Sequence, residues 1–232
     1  ILDLVEVKNE VLHNYRDPLF GGRYPEPDEE NLEDLIFLVK KHPNSIGIAT
    51  DGDADRFGII DSDGSFITPN QVLSILFLHL LKTREQQGSV IKTLATTNLI
   101  QSIAERHSIK LHDTPVGFKY IGEIMTKEDV IIGGEESGGL SIGNHVPEKD
   151  GILACLLMLE VKAQYKKSFR EILDDIFKEY GCFIQKRANL KLSPEKKESL
   201  SNLINNDPPK KVLDKNVIKI DKRDGLKLIL DD

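Results

Sequence analysis

Apolar and polar positions alternate along the chain with two periods, one of strands and one of helices. Leu4 to Lys8 alternates with period two and predicts a strand. Phe20 to Pro27 is punctuated by Gly and Pro and predicts a loop. Asp28 is positioned to cap a helix running to Lys41, with Leu32, Leu35, Ile36 and Val39 on one face. Ser45–Ala49 and Phe57–Ile60 are apolar and predict two core strands. Asp61-Ser62-Asp63-Gly64 follows as a hairpin turn in which Gly64 supplies a positive φ. Residues 71–82 are apolar almost all round, which predicts a buried helix with His79 as a structural histidine inside it. The polar stretch Thr83–Gly88 reads as a linker.

A second series of elements follows. Ser89–Leu94 is a strand, Asn98–Arg106 a helix with Thr97 as its cap, and Ile109–His112 a short strand. Phe118–Met125 is a helix, and Val130–Ile132 is a strand that empties into a glycine-rich loop. Gly151 to Gln164 is a helix, apolar over its first turns and therefore buried. Strands alternating with helices imply a parallel sheet with helical cover, and ligand sites in such sheets lie at the carboxyl ends of the strands. Ser168-Phe169-Arg170-Glu171 has the form of a capping box, and Tyr180-Gly181 ends the helix it opens. Beyond Arg187 the chain turns polar: a Lys/Glu-rich helix from Ser193-Pro194, a break at Asn205–Pro209, and a hairpin of Val217–Ile220 with Leu226–Leu230.

The 232 residues, 39% hydrophobic and 30% charged, suit one large or two ordinary soluble domains. A formal charge of −7 argues against general nucleic-acid binding, which needs a basic footprint, but leaves room for one phosphate held by local cations. Two widely spaced cysteines, Cys155 in an apolar run and Cys182, form neither a zinc site nor a disulfide framework, so a cytoplasmic location is expected. No signal segment opens the chain, and its longest apolar run, Gly151–Leu159, is too short to span a bilayer. The chain starts in strand-like sequence without Met and stops at a hairpin, as a piece of a longer protein would.

Candidate chemistry concentrates first in Asp51-Gly52-Asp53-Ala54-Asp55-Arg56, between the two predicted core strands. Three carboxylates there need a cation, and hard oxygen donors suit Mg²⁺ or Ca²⁺ in preference to zinc. An EF-hand also starts Asp-x-Asp-x-Asp, but Arg56 and Ser62 stand where that loop needs Gly and Glu. The bland alternative is a solvated acidic turn, against which the apolar flanks argue. Gly133-Gly134-Glu135-Glu136-Ser137-Gly138-Gly139 lacks the Lys-Ser/Thr of a phosphate loop; it is either a plain glycine-rich turn or a set of carboxylate and hydroxyl groups suited to sugar hydroxyls. Lys119 opens a helix and is half solvated by default. Lys92 lies in an apolar strand, so its charge must reach the strand end or find a partner. His145, Lys149 and Asp150 either touch a substrate phosphate or shape the turn before the helix at Gly151.

Three of these stretches, Ala49–Arg56, Thr114-Pro115-Val116-Gly117-Phe118-Lys119 and Gly133–Gly139, resemble in sequence and order the motifs of the α-D-phosphohexomutase (phosphoglucomutase/phosphomannomutase) family. The resemblance covers most of the chain. It implies an α/β fold: two consecutive three-layer αβα domains with mixed or parallel sheets (1–85, metal-binding; 86–186, sugar-binding) and the start of a small α+β phosphate-binding domain (187–232). It implies interconversion of hexose 1-phosphate and hexose 6-phosphate through an enzyme phosphoserine and a hexose 1,6-bisphosphate. Asp51, Asp53 and Asp55 would hold Mg²⁺, Arg56 and Lys119 would act in catalysis, and Glu135, Ser137 and Lys92 would face the sugar phosphate. The Gly138-Gly139 ending is similar to the glucose/mannose type of loop. The chain departs from the family pattern in lacking a Ser-His-Asn-Pro nucleophile segment and a C-terminal phosphate loop. The expected partners are therefore a hexose phosphate and the missing N- and C-terminal domains of the same polypeptide, with no nucleic acid or membrane, and these residues alone are expected to be inactive. A Mg²⁺-dependent phosphohydrolase and a non-catalytic metal or sugar-phosphate binding module are the alternatives.

Overall fold

A computed structural model describes residues 1–84, 87–188 and 190–231. The strand expected over Leu4–Lys8 does not form. Leu2–Val5 is a short 3₁₀ helix closed by Glu6 at a φ of 55°. Leu4 is 86% exposed, so the alternating pattern has no neighbouring strand to pair with. Helix α1 (Glu33–Lys41) begins later than Asp28, whose carboxylate accepts from the Asn31 backbone N–H at 3.0 Å and caps a turn ahead of the helix.

Strands β1 (Gly47–Thr50), β2 (Phe57–Ile60) and β3 (Phe66–Ile67) form an antiparallel sheet in that order, with Ala49 opposite Gly58. Two glycines allow close cover on one face: a Cβ on Gly47 would sit 2.8 Å from Leu35 Cγ of α1, and one on Gly58 2.5 Å from the Pro27 carbonyl of the preceding loop. Phe57 and Ile59 enter the main core from the other face. The turn after β2 forms as expected: Gly64 has φ 85° and donates to the Asp61 carbonyl at 2.8 Å.

Helix α2 (Pro69–Arg84) buries every residue from Val72 to Leu80. His79 is structural, with Nε2 3.1 Å from Glu160 Oε1. The sequence pattern puts this helix in the first unit, yet it packs mainly on the second sheet and its helices. Of the expected linker, Thr83 and Arg84 are still helical and Glu85 and Gln86 lie outside the described residues.

The second layer follows in order: β4 (Ser89–Thr93), α3 (Leu99–Arg106), β5 (Leu111–Thr114), α4 (Phe118–Met125), β6 (Val130–Gly134), β7 (Leu140–Ile142), α5 (Gly151–Tyr165) and α6 (Phe169–Tyr180). The sheet order is β5-β4-β6-β7. The first three are parallel, and β7, absent from the sequence pattern, returns antiparallel on β6, so the sheet is mixed. Ile91 and Val130 pack with α4 on one face; Val90 and Ile132 join the main core with α2, α3, α5 and α6 on the other. The capping box of α6 forms with both bonds: Ser168 Oγ accepts from the Glu171 N–H, and the Glu171 carboxylate accepts from the Ser168 N–H. Gly181 ends the helix at φ 97°.

Helix α7 (Pro194–Asn206) is capped by Ser193 and followed by a small antiparallel sheet, β8 (Lys211–Val212), β9 (Lys215–Asp221) and β10 (Lys227–Leu230). Its β9–β10 turn docks at the carboxyl ends of β4 and β5. Lys227 Nζ donates to the Leu94 carbonyl at 2.9 Å, and the Val116 N–H donates to Asp224 Oδ2 at 2.7 Å. No helix among the described residues is long and apolar enough to cross a membrane.

Cys155 is buried and Cys182 exposed. Burial pushes the Cys155 thiol up to about 12. A thiol reagent at pH 8 should therefore label Cys182 alone in the folded protein, and both cysteines only after denaturation; fast native labelling of Cys155 would contradict the packing.

Candidate active site

The loop after β1 curls so that its three aspartates face one another. One carboxylate oxygen from each of Asp51, Asp53 and Asp55 lies within 4.8 Å of the others. The turn requires Ala54 to take φ 61°, a left-handed conformation that costs a non-glycine residue about 1 kcal/mol. The Ala54 carbonyl in turn accepts from the Gly151 N–H at 3.0 Å, at the start of α5. Gly151 is the residue this approach needs, since a Cβ there would stand 2.4 Å from the Arg56 carbonyl.

Like charges 4.8 Å apart repel by about 3 kcal/mol in an effective dielectric near 20, so cations must share the loop. Arg56 Nε donates to Asp51 Oδ2 at 2.7 Å, and the Arg56 backbone N–H donates to Asp51 Oδ1 at 3.1 Å. Burial alone would raise the Asp51 pKa, but these bonds outweigh it and hold the carboxyl below its usual range. The Arg56 guanidinium also lies 3.5 Å from Glu26. Lys149 Nζ pairs with Asp55 Oδ2 at 2.6 Å.

The glycine-rich loop after β6 faces the aspartate loop, and a backbone bridge between Arg56 and Gly139 joins the two. Glu135 is buried at 8% exposure and accepts from the Gly117 N–H, just before α4, at 2.8 Å. Burial pushes its carboxyl up, against the lowering effect of that N–H and of Lys149. Ser137 is exposed and interacts through its side chain with Glu135. Glu136 turns away, towards Arg187 at 3.9 Å.

The structure brings Asp51, Asp53, Asp55 and Arg56 on one loop against the loop that carries Glu135 and Ser137, joined by the Arg56–Gly139 bridge. Lys119 is exposed in the first turn of α4, with Nζ 4.8 Å from the Tyr120 ring centroid. Lys92 does not join the group. Its side chain is 1% exposed, and Nζ donates to Asp113 Oδ1 at 3.0 Å. Lys92 and Asp113 are register partners on β4 and β5, which puts the ammonium beside that carboxylate. Burial pushes its pKa down, against Asp113, while Lys227 and Arg223 add like charge. Asp150 caps α5 by accepting from the Leu153 N–H at 2.8 Å, and its other oxygen pairs with His145 at 2.9 Å, so both shape the turn. Asp55 is shared by two cations: Arg56 Nε stands 3.7 Å from Oδ1, and Lys149, left undecided by the sequence, reaches Oδ2, a contact nothing local in the sequence foretold.

Two descriptions match this chain in succession: phosphoglucomutase/phosphomannomutase alpha/beta/alpha domain II over residues 1–64, and domain III over residues 68–180. The chain belongs to the α-D-phosphohexomutase family. As a phosphohexomutase-family chain it is 32% identical over 216 residues to a phosphoglucomutase/phosphomannomutase of Thermococcus kodakarensis, covering 93% of this chain and 45% of that protein. It is 31% identical over 166 residues to phosphoglucomutase-1 of Homo sapiens, covering 70% and 29%. Its fold superposes with a TM-score of 0.75, at 35% identity, on the crystal structure of a Thermus thermophilus protein that carries a phosphomannomutase name, covering 93% and 45%. The chain thus spans less than half the length of these relatives. The α/β layers agree with the family's second and third domains, and the small antiparallel sheet at residues 211–230 fits the start of a fourth.

Proposed function

We propose that these residues form the metal-binding and sugar-binding parts of an enzyme that interconverts hexose 1-phosphate and hexose 6-phosphate, with glucose or mannose as the sugar. The observation that carries this reading is the meeting of an aspartate triad and a buried glutamate on two loops joined at Arg56 and Gly139. Asp51, Asp53 and Asp55 offer three hard oxygens on one short turn, a donor set that fits Mg²⁺. Bound there, the ion would neutralise charge on a transferred phosphoryl group.

Arg56 holds Asp51 in place and has guanidinium N–H groups left for a phosphate oxygen. Glu135 and Ser137 accept from and donate to adjacent sugar hydroxyls; the bond from Gly117 already fixes the carboxylate's orientation. Lys119, exposed in the first turn of α4 two residues after the Gly117 N–H that holds Glu135, would carry a proton to or from the reacting oxygen. In Lys92 we see a residue that ties β4 to β5 through Asp113. The phosphoserine donor, with hexose 1,6-bisphosphate as intermediate, would come from a further part of the polypeptide. We propose a domain division close to 1–85, 86–186 and 187–232, with α2 packed as part of the second layer.

The experiment is Glu135→Ala in the full-length protein, assayed with glucose 1-phosphate and mannose 1-phosphate. Loss of a charged hydrogen bond should lower kcat/KM by roughly 1.5–3 kcal/mol, about ten- to a hundredfold. Unchanged kinetics would remove the sugar role, and release of inorganic phosphate in place of isomer would point to a hydrolase.

A further inference from the structure

The segment that precedes α1 lies on the aspartate loop. Asp17 accepts from the Leu19 N–H at 2.9 Å and from the Gly21 N–H at 2.8 Å, which closes a tight turn. Phe20, Gly21 and Gly22 follow at φ 50°, 66° and 76°. A phenylalanine in the left-handed region needs its surroundings to hold it there. Part of that surrounding is Gly52, between the first two aspartates: a Cβ on Gly52 would stand 3.4 Å from the Phe20 ring and 3.5 Å from Pro25 Cβ. A second anchor comes two residues later, where Pro27 is buried with its carbonyl against Gly58 of β2.

Between these anchors the segment carries Glu26 to Arg56. Glu26 Oε1 lies 3.5 Å from Arg56 Nη1. At the other end of the guanidinium, Nε donates to Asp51 Oδ2 at 2.7 Å. Among the described residues nothing pairs with Nη2. A planar guanidinium held at one nitrogen still swings on its stem; held at two, it keeps one plane and presents one edge. Glu26 is not among the carboxylates that converge as a cation site, and its side chain is 53% exposed, so the pair adds little to folding. We propose that Glu26 is a positioning residue: with Asp51 it fixes the plane of the Arg56 guanidinium, so that the free Nη2 edge is set for an oxygen of the transferred phosphoryl group. This inference rests on the function proposed above.

The test is steady-state kinetics of the full-length protein with glucose 1-phosphate at saturating Mg²⁺. Charge and position predict opposite signs. Glu26 is an anion near a site for an anion, so by Coulomb's law alone its neutralisation favours the phosphoryl group and leaves kcat equal or higher. As a positioning residue, Glu26→Gln should lower kcat about tenfold and change KM less than about threefold, because the misdirected contact is to the group in transfer. Glu26→Asp keeps the charge and shortens the reach, and should move kcat in the same direction. In an Arg56→Lys background, which keeps a cation without Nη1, Glu26→Gln should cause no further loss; fully additive losses would overturn the role. Thermal melting of Glu26→Gln should match wild type, and its Mg²⁺ affinity by calorimetry should stay within about threefold. Mg²⁺ binding abolished in that variant would make Glu26 a cation ligand instead and overturn the proposal. Wild-type or higher kcat in Glu26→Gln, with the wild-type protein interconverting hexose phosphates, would overturn the positioning role alone. A wild-type protein that interconverts neither glucose nor mannose phosphates would overturn the proposed function itself.

Discussion

Asp53→Asn should weaken Mg²⁺ binding by on the order of a hundredfold and leave the fold intact. Of the three aspartates it gives the cleanest test. Asp51 has both oxygens engaged by Arg56, so its replacement would also loosen the loop. Asp55 is paired with Lys149. Asp53 is exposed, and no described residue donates to its carboxylate or pairs with it. Its charge makes no folding contact, and asparagine keeps the size and one carbonyl oxygen while removing that charge. Without Mg²⁺, stability should hold or rise by thermal melting, since one of three mutually repelling charges is gone and no folding contact is lost. Calorimetry showing undiminished Mg²⁺ affinity in a folded Asp53→Asn protein would remove Asp53 from the ligand set and with it the triad as the cation site, and no Mg²⁺ binding in wild type would make the loop a solvated turn.

The second large effect concerns Lys92 and is one of stability. Asp113→Ala should destabilise the protein by about 3 kcal/mol, because it strands an ammonium that cannot reach water. That is the lower end of what breaking a buried pair costs, since the Asp113 side chain is itself about a third exposed, at 32%. In a chain of this size the melting temperature should fall by roughly 6–12 °C. Arg223 is affected less: it keeps its bond to the Asp113 carbonyl, which the substitution does not touch. The control is the double variant Lys92→Met/Asp113→Ala. If the stranded charge is the cause, replacing it with an unbranched apolar side chain of similar length should recover most of the loss. A double variant as unstable as Asp113→Ala would place the cost elsewhere, in the docking of the β9–β10 turn.

Much of the fold was legible because local rules and burial agreed. The boundaries of α4 and the capping box of α6 follow from periodicity and from Ser168 with Glu171. The buried helix around His79 follows from its unbroken apolar run, and the turn at Gly64 from its need for positive φ. Where local pattern and environment parted, the reading failed. Leu4–Lys8 alternates as a strand should, but a strand needs a partner edge, and the backbone runs here as a 3₁₀ turn and coil with Leu4 and Val7 exposed. Leu140–Ile142 is a strand only because β6 offers it an edge; three residues after a glycine-rich loop carry no period of their own. Helix α2 falls by sequence order among the elements preceding it, although its apolar surface is shared out among the helices and strands that follow.

The site divides the same way. Sequence alone determined which groups exist and which of them lie together on one turn: Asp51, Asp53 and Asp55 with Arg56, and Glu135 with Ser137 in a loop bare of side chains. Those are short-range facts, set by spacing and by glycine. Tertiary structure decided every pairing between distant groups. It brought the Arg56 backbone to Gly139, the Lys149 ammonium across Gly139 to Asp55, and the Lys92 ammonium to Asp113, where the resemblance had set it toward a sugar phosphate. The physical reason is that a charge on a long, flexible stem settles on whichever counter-charge the strand register and helix ends carry to it. A one-dimensional pattern records the charge but not its neighbour.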